Sequence, residues 1–272
     1  MYLQEMKNNY LSNVKITLSE GTYRCYSNHL NYIIKYFETK NIYDSSIITL
    51  KTLSSFVIDQ HNNGVKNSTI NKRIKPFKLM FKFNSVENEI LTFSKLKEDK
   101  NTFTALSKFE LNNLINYLNS STLKLQNKVL IYLLIDTGVR VNELLNIKIK
   151  NINFYNNTIL LDITKTKTSR IVPFTKATAI LLKELIKNKT DDLLFDLQYS
   201  AVRSLFERIK NKLGLSKFHP HMLRHTLASK LHNNGVSIIM IQQIMGHTNV
   251  STTERYIHFD MDDLLSVYNN AM

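Results

Sequence analysis

Six side chains in this 272-residue sequence have types suited to phosphodiester chemistry: Arg140, Lys165, His221, Arg224, His247 and Tyr256. In-line attack on a phosphodiester spreads negative charge over the non-bridging oxygens. Guanidinium forks match those oxygens two at a time and stay charged at any working pH. A tyrosine hydroxyl, with a pKa of about 10, needs a proton acceptor or a cationic surround to attack at neutral pH. The departing 5′-alkoxide needs a proton, and a lysine on a hairpin can deliver it. With such cations supplied by the protein, the chemistry requires no divalent metal and no cofactor.

Each residue alone has an ordinary reading. Arg140 can pair with Glu143, Lys165 can be a solvated turn residue, and Tyr256 can be a buried aromatic. His221 and His225 stand at the i, i+4 spacing of zinc-binding helices, but without the glutamate between them or a cysteine nearby. The order of the clusters carries more than any single member. Thr137-Gly138-Val139-Arg140-Val141-Asn142-Glu143-Leu144 places an arginine just past a helix stop. Lys165 follows between two β-like runs, and His221-Met222-Leu223-Arg224-His225 opens a helix on which positions i and i+3 share a face. Gly246-His247 precedes Tyr256 by nine residues counted from the histidine.

The elements that must position these groups are mainly helical, since the chain holds only 6 Gly and 3 Pro. Thr17-x-x-Glu20 has the form of a capping box, followed by Tyr23, Tyr26, Leu30, Ile33, Ile34 and Phe37 at helical spacing. A helix capped by Thr49 carries Leu50, Leu53, Phe56 and Val57. Another begins near Ser68 with Ile70, Ile74 and Phe77 on one face, and Pro76 is expected to kink or divide it. Lys72, Arg73, Lys75, Lys78 and Lys82 surround that face as candidate DNA contacts. Residues 1–86 therefore read as a small helical bundle, and the charged, weakly periodic stretch 87–103 as a linker.

Residues 104–272 read as a second domain, opened by the capping box Ser107-x-x-Glu110. An apolar helix over 126–137 ends at Gly138. Short β-like runs at 152–154, 159–163 and 170–174 predict a three-stranded antiparallel sheet. Helical patterns return at 175–188, 201–213, 221–233 and 237–245, with Gly214 and Gly235 as stops. A last helix is expected over 261–268, bearing Leu264, Leu265 and Val267.

Composition narrows the partner. Lys and Arg outnumber Asp and Glu by 36 to 22, for a net charge of +14. That excess favours a polyanion, foremost nucleic acid. Cys25 is the single cysteine, which excludes an internal disulfide and a multi-cysteine zinc site. The N-terminus lacks the apolar stretch of a signal peptide, and no run is long enough for a membrane span. A cytoplasmic protein is expected.

The four clusters resemble the motifs of the tyrosine recombinase (phage-type integrase) family. Thr137 to Leu144 is similar to its first arginine box, and Thr164-Lys165-Thr166-Lys167-Thr168-Ser169-Arg170-Ile171-Val172-Pro173 to its lysine hairpin. Pro220-His221-Met222-Leu223-Arg224-His225-Thr226 is similar to its second box, and Gly246 to Tyr256 to its last. The resemblance covers about 104–272, and more weakly the N-terminal bundle, which looks like the family's core-binding domain. The lysine turn departs from the usual Gly-Lys-Gly, so Lys167 stands as an alternative to Lys165; a slip of two keeps the same sheet face.

The resemblance implies that Arg140 and Arg224 clamp the scissile phosphate and His247 hydrogen-bonds to it. It implies His221 as proton acceptor, Lys165 as general acid and Tyr256 as the nucleophile of a 3′-phosphotyrosyl intermediate. Glu143 would orient Arg140, and His225 would support Arg224. It further implies two domains clamped on a double-stranded recombination site, and strand exchange through a Holliday junction in a homotetramer. The Leu264 to Val267 tail would dock on a neighbour, and work on the nucleoid would follow. The length leaves no room for an arm-binding domain, which points to a Xer-like or minimal mobile-element enzyme. A type IB topoisomerase, a non-catalytic regulator on the same fold and a metal-dependent nuclease are the competing readings. The intact six residues disfavour the regulator, and the lack of an Asp/Glu cluster disfavours the nuclease.

Overall fold

The computed structural model describes residues 1–98, 104–162, 169–187 and 189–246. Lys165, Lys167, His247, Tyr256 and the tail helix expected at 261–268 lie outside the described residues. The chain divides into two compact units, Met1–Asn101 and Thr102–Met272.

The first unit is built from α1 (Leu3–Thr17), α2 (Glu20–Thr39), α3 (Leu50–Asn62) and α4 (Asn67–Phe83). Helix α1 adds to the expected bundle. Its stripe is regular: Leu3, Met6, Tyr10, Leu11 and Val14 recur at helical spacing and are all buried. The expected capping box at Thr17 and Glu20 is also corrected. Thr17 closes α1, its hydroxyl donating to the Asn13 carbonyl at 2.9 Å, while Ser19 caps α2 by accepting from the Thr22 amide at 3.3 Å. Thr49 caps α3 together with Thr52.

Pro76 does not divide α4, which runs unbroken from Asn67 to Phe83. An interior proline costs a helix about 3 kcal/mol. Here Pro76 is buried, and on either side of it α4 packs Ile70, Ile74, Phe77, Met80 and Phe81 into the core. Phe77 stacks on Phe37 of α2 at 5.5 Å between ring centres. Burial of that size offsets one lost hydrogen bond. Packing continues past the helix: Ile90 is fully buried, and Leu91, Phe93 and Leu96 lie against the same core.

The second unit contains α5 (Lys108–Ser120), α6 (Leu125–Thr137), α7 (Val141–Leu145), α8 (Lys176–Ile186), α9 (Tyr199–Leu213), α10 (Pro220–Asn233) and α11 (Ile238–Met245). A three-stranded antiparallel sheet holds β1 (Ile152–Asn153), β2 (Thr158–Leu161) and β3 (Arg170–Pro173) in the order β1-β2-β3. Ser107 and Glu110 form the expected box at the start of α5. Helix α6 is the centre of this unit, burying Val129, Leu130, Ile131, Leu133 and Leu134 against α7, α8, α10 and β3. Leu161 pairs with Arg170 across β2 and β3, so the lysine segment joins the two strands. Among the described residues no helix is long and apolar enough to cross a membrane.

Candidate active site

Helix α10 starts with Pro220 in its first turn, where a missing N–H costs nothing. His221 follows it at the surface, while Arg224 and His225 turn inward and are buried. Arg224 donates from Nη1 to the Gly138 carbonyl at 2.6 Å and from Nη2 to the Met245 carbonyl at 2.5 Å. Those carbonyls lie at the ends of α6 and α11, where helix dipoles place partial negative charge. Thr226 accepts from the Leu106 amide at 2.8 Å and donates to the Met222 carbonyl at 2.8 Å, tying α10 to the segment entering the unit.

Gly138 ends α6 in the left-handed conformation, at φ 58°. A Cβ there would meet Met245 and Leu227 at 3.1 Å, so the turn needs glycine for its backbone and for space. The chain reverses through Val139 into Arg140, the cap residue of the short helix α7. Glu143, buried in α7, gathers Arg140: its Oε2 accepts from the Arg140 amide at 2.9 Å and its Oε1 from Arg140 Nη1 at 3.0 Å. Arg140 Nη2 reaches the Gly246 carbonyl at 3.4 Å. Its side chain stays 37% exposed, against 3% for Glu143.

Arg170, at the start of β3, completes the group. Its Nη1 and Nη2 donate to the two Glu143 oxygens at 3.0 and 2.7 Å, and its Nε donates to the Ile244 carbonyl at 3.2 Å. The last carbonyls of α11 and its cap, Ile244, Met245 and Gly246, thus each receive a different arginine: Arg170, Arg224 and Arg140. These guanidinium groups come from β3, α10 and the α6–α7 turn, and they meet just before His247.

A cleft of about 760 Å³ opens beside this cluster, lined by Arg140, Asn142, Lys148, Asp162, Tyr199 and His221, among others. Burial of one edge holds the His221 pKa below the ordinary histidine value, and Arg224, His219 and Arg140 add to it. The ring is therefore neutral at neutral pH and able to accept a proton. His225, its ring centre 6.4 Å from that of His221, is pushed down to about 4 by burial first and then by His221, His219 and Arg224. Burial alone would raise the Glu143 carboxyl. Hydrogen bonds from Arg170 and Arg140 outweigh it and hold the group ionised, below the usual range.

The structure brings together Arg140, Glu143, His221, Arg224 and His225 of the expected site. Lys165, His247 and Tyr256 lie outside the described residues. Arg170 is not among the expected site residues; in the sequence it stands only within the stretch similar to the lysine hairpin. Its signal was its place at the base of the lysine hairpin, but its partner lies 27 residues away and no periodicity links the two.

In the first unit the five basic residues of α4 differ in kind. Lys72, Lys75 and Lys82 are exposed. Arg73 lies over the Tyr32 ring, 3.6 Å from its centre, and donates to Gln60. Lys78 donates to the Phe93 carbonyl at 2.8 Å. On α2, burial first and then the charges of Arg73 and Lys72 lower the pKa of His29.

The model of the phage integrase family matches residues 104–263. Over 251 residues, 88% of this chain and 86% of the other, the chain is 31% identical to a probable integrase/recombinase of Acholeplasma phage L2. It is 41% identical over 148 residues to tyrosine recombinase XerA of Saccharolobus solfataricus, a match spanning 54% of this chain and 50% of that protein. The fold is similar to that of the XerH site-specific recombinase, solved bound to its difH substrate in a pre-cleavage complex. The TM-score is 0.74 and the identity 26%, over 90% of this chain and 78% of XerH.

Proposed function

The chain belongs to the phage integrase family as a Xer-like tyrosine recombinase, and from that membership we propose that it cuts and rejoins duplex DNA at a specific site through a covalent bond to Tyr256. The observation that supports this reading is that Arg140 and Arg224 both hold the carbonyls that end α11, immediately before His247, while His221 lines the cleft with Arg140.

In this scheme the scissile phosphate docks on Arg140 at the cleft, with Arg224 fixed behind it and His247 adding a hydrogen bond. Neutral His221 takes the proton of the Tyr256 hydroxyl. Tyrosine attack forms a 3′-phosphotyrosyl bond, and Lys165 (or Lys167) protonates the departing 5′-oxygen. The new phosphodiester keeps the energy of the old one, so a 5′-hydroxyl from a partner strand reverses the step without ATP. Glu143 holds Arg140 in place, and His225 backs Arg224. Residues 1–86 bind the core site through Lys72, Lys75 and Lys82. Four protomers act on two sites through a Holliday junction, linked by the Leu264 to Val267 tail, and the enzyme works on nucleoid DNA in the cytoplasm.

The test is strand exchange between two duplexes drawn from DNA flanking the gene, with EDTA present and ATP absent. Joined recombinant strands are expected. Relaxation of a plasmid lacking those sequences, without recombinants, would instead indicate a topoisomerase.

A further inference from the structure

The first arginine turn and the end of α11 are separate in sequence, yet one side chain, from the strand that follows the lysine segment, touches both. Arg170 sits where β3 leaves the hairpin, opposite Leu161. Its side chain is 12% exposed, and its two terminal nitrogens engage both oxygens of Glu143. Its Nε holds the Ile244 carbonyl. Glu143 in turn holds the backbone and guanidinium of Arg140. A forked cation suits this place, because a lysine supplies a single point of charge and cannot span both carboxylate oxygens while reaching a carbonyl behind them.

Gly246 adds an independent observation. At φ 61° it ends α11, and a Cβ there would lie 2.6 Å from Arg170 Nη1, 2.8 Å from Cζ and 2.9 Å from Nε. The glycine backbone is therefore packed directly on the guanidinium. Gly214 ends α9 with the same backbone, at φ 63°, and has nothing within 4 Å of a built Cβ. What distinguishes Gly246 is contact with Arg170.

We propose that Arg170 is a positioning residue for DNA cleavage: by clamping Glu143 and seating the end of α11, it sets Arg140 at the phosphate position and fixes the point from which the chain continues to His247. Arg170 does not touch the phosphate. It acts through Glu143 and through the Ile244 to Gly246 backbone. The proposal rests on the recombinase reading of the site.

The test compares wild type, Arg170→Lys, Gly246→Ala and the double variant on a nicked suicide duplex from the flanking DNA. Covalent adduct is followed at saturating protein, and duplex affinity is measured separately. Misplacing a catalytic group by about 1 Å costs on the order of 100-fold in rate. Arg170→Lys is expected to slow adduct formation about 10- to 100-fold while leaving duplex affinity within about twofold. Gly246→Ala, which moves the guanidinium without removing it, is expected to do the same, and Gly214→Ala to leave the rate unchanged. Because both changes act on one contact, the double variant is expected to lose no more than the worse single one.

Val172→Ala, in the core of the same strand, reports what general destabilisation does. If it lowers Tm as much as Arg170→Lys and slows cleavage equally, a structural role replaces the positioning one. If Arg170→Lys does not fold, Gly246→Ala against Gly214→Ala decides the matter, and equal rates in those two would overturn the proposal. Wild type that forms an adduct beside an Arg170→Lys that forms it equally fast removes the positioning role alone. Wild type that forms none removes the recombinase reading with it.

Discussion

Arg224 and Gly138 stand 86 residues apart in the chain and are joined by a 2.6 Å hydrogen bond from guanidinium to carbonyl. The bond locks the second arginine box to the turn that carries the first. Arg224 also holds the Met245 carbonyl, so one buried cation closes the ends of two helices. Replacing it with methionine removes both of these hydrogen bonds from buried residues. We expect Arg224→Met to lose about 2–4 kcal/mol of stability in denaturant unfolding, and Gly138→Ala to lose more than Gly214→Ala, since only the former meets Met245 and Leu227. Equal losses for the two glycines would mean that strain at positive φ, not the crowded turn, is what matters.

Under the proposed mechanism, the depressed His221 pKa sets the acid limb of cleavage. A proton acceptor must be neutral, and its folded pKa lies below the ordinary value of about 6.5. Single-turnover adduct formation should therefore hold steady as pH falls toward about 6.5 and decline only below it. An acid limb centred above that value would remove His221 as the acceptor.

Stability should follow a related window through His225, whose pKa in the fold is about 4. Between that value and about 6.5 the unfolded chain binds the extra proton, so stability rises with pH in this window. It is fully present above about 6.5 and is lost as pH falls toward 4. Glu143 acts lower: its stabilisation holds above the ordinary carboxylate range of about 4.3 and is lost as pH drops through its depressed value. Thermal unfolding across pH 3 to 8 checks both, and His225→Leu should flatten the upper slope while leaving the lower one.

The basic residues of α4 should separate into two groups. Lys72, Lys75 and Lys82 are exposed, so changing all three to glutamate should weaken duplex binding. For every phosphate that a lysine no longer neutralises, the logarithmic salt slope should become shallower by about 0.9. Arg73 is occupied by Tyr32 and Gln60, so Arg73→Ala should lower Tm more than it lowers affinity. Gel-shift titrations at several salt concentrations, set beside melting curves, distinguish the groups. Unchanged affinity in the triple variant at moderate salt would remove the DNA-facing role of this helix.

Features written in short windows of sequence were legible before the fold was known. Gly138 announced the end of α6, Ser107 and Glu110 the start of α5, and the β-like runs a sheet whose strands pair as Ile152 with Ile159 and Ile159 with Val172. Helix α1 escaped although its stripe is periodic, because Asn and Lys between the apolar positions mask it. Pro76 misled because local propensity says nothing of the aromatic packing that carries α4 through it. The Arg170–Glu143 pair was invisible for a different reason. It joins a strand to a helix 27 residues upstream, and nothing in either segment names the other. The same holds for the carbonyls of α11, whose role depends on three arginines arriving from elsewhere.

The central claim is that Tyr256 attacks a phosphate held by this cluster. Its most direct measurement is denaturing electrophoresis after incubation with a labelled suicide duplex from the flanking DNA, comparing wild type with Tyr256→Phe. Wild type should yield a protease-sensitive protein–DNA adduct at a 3′ end, and Tyr256→Phe should yield none while binding the duplex as tightly. An adduct of undiminished yield from Tyr256→Phe would contradict the account.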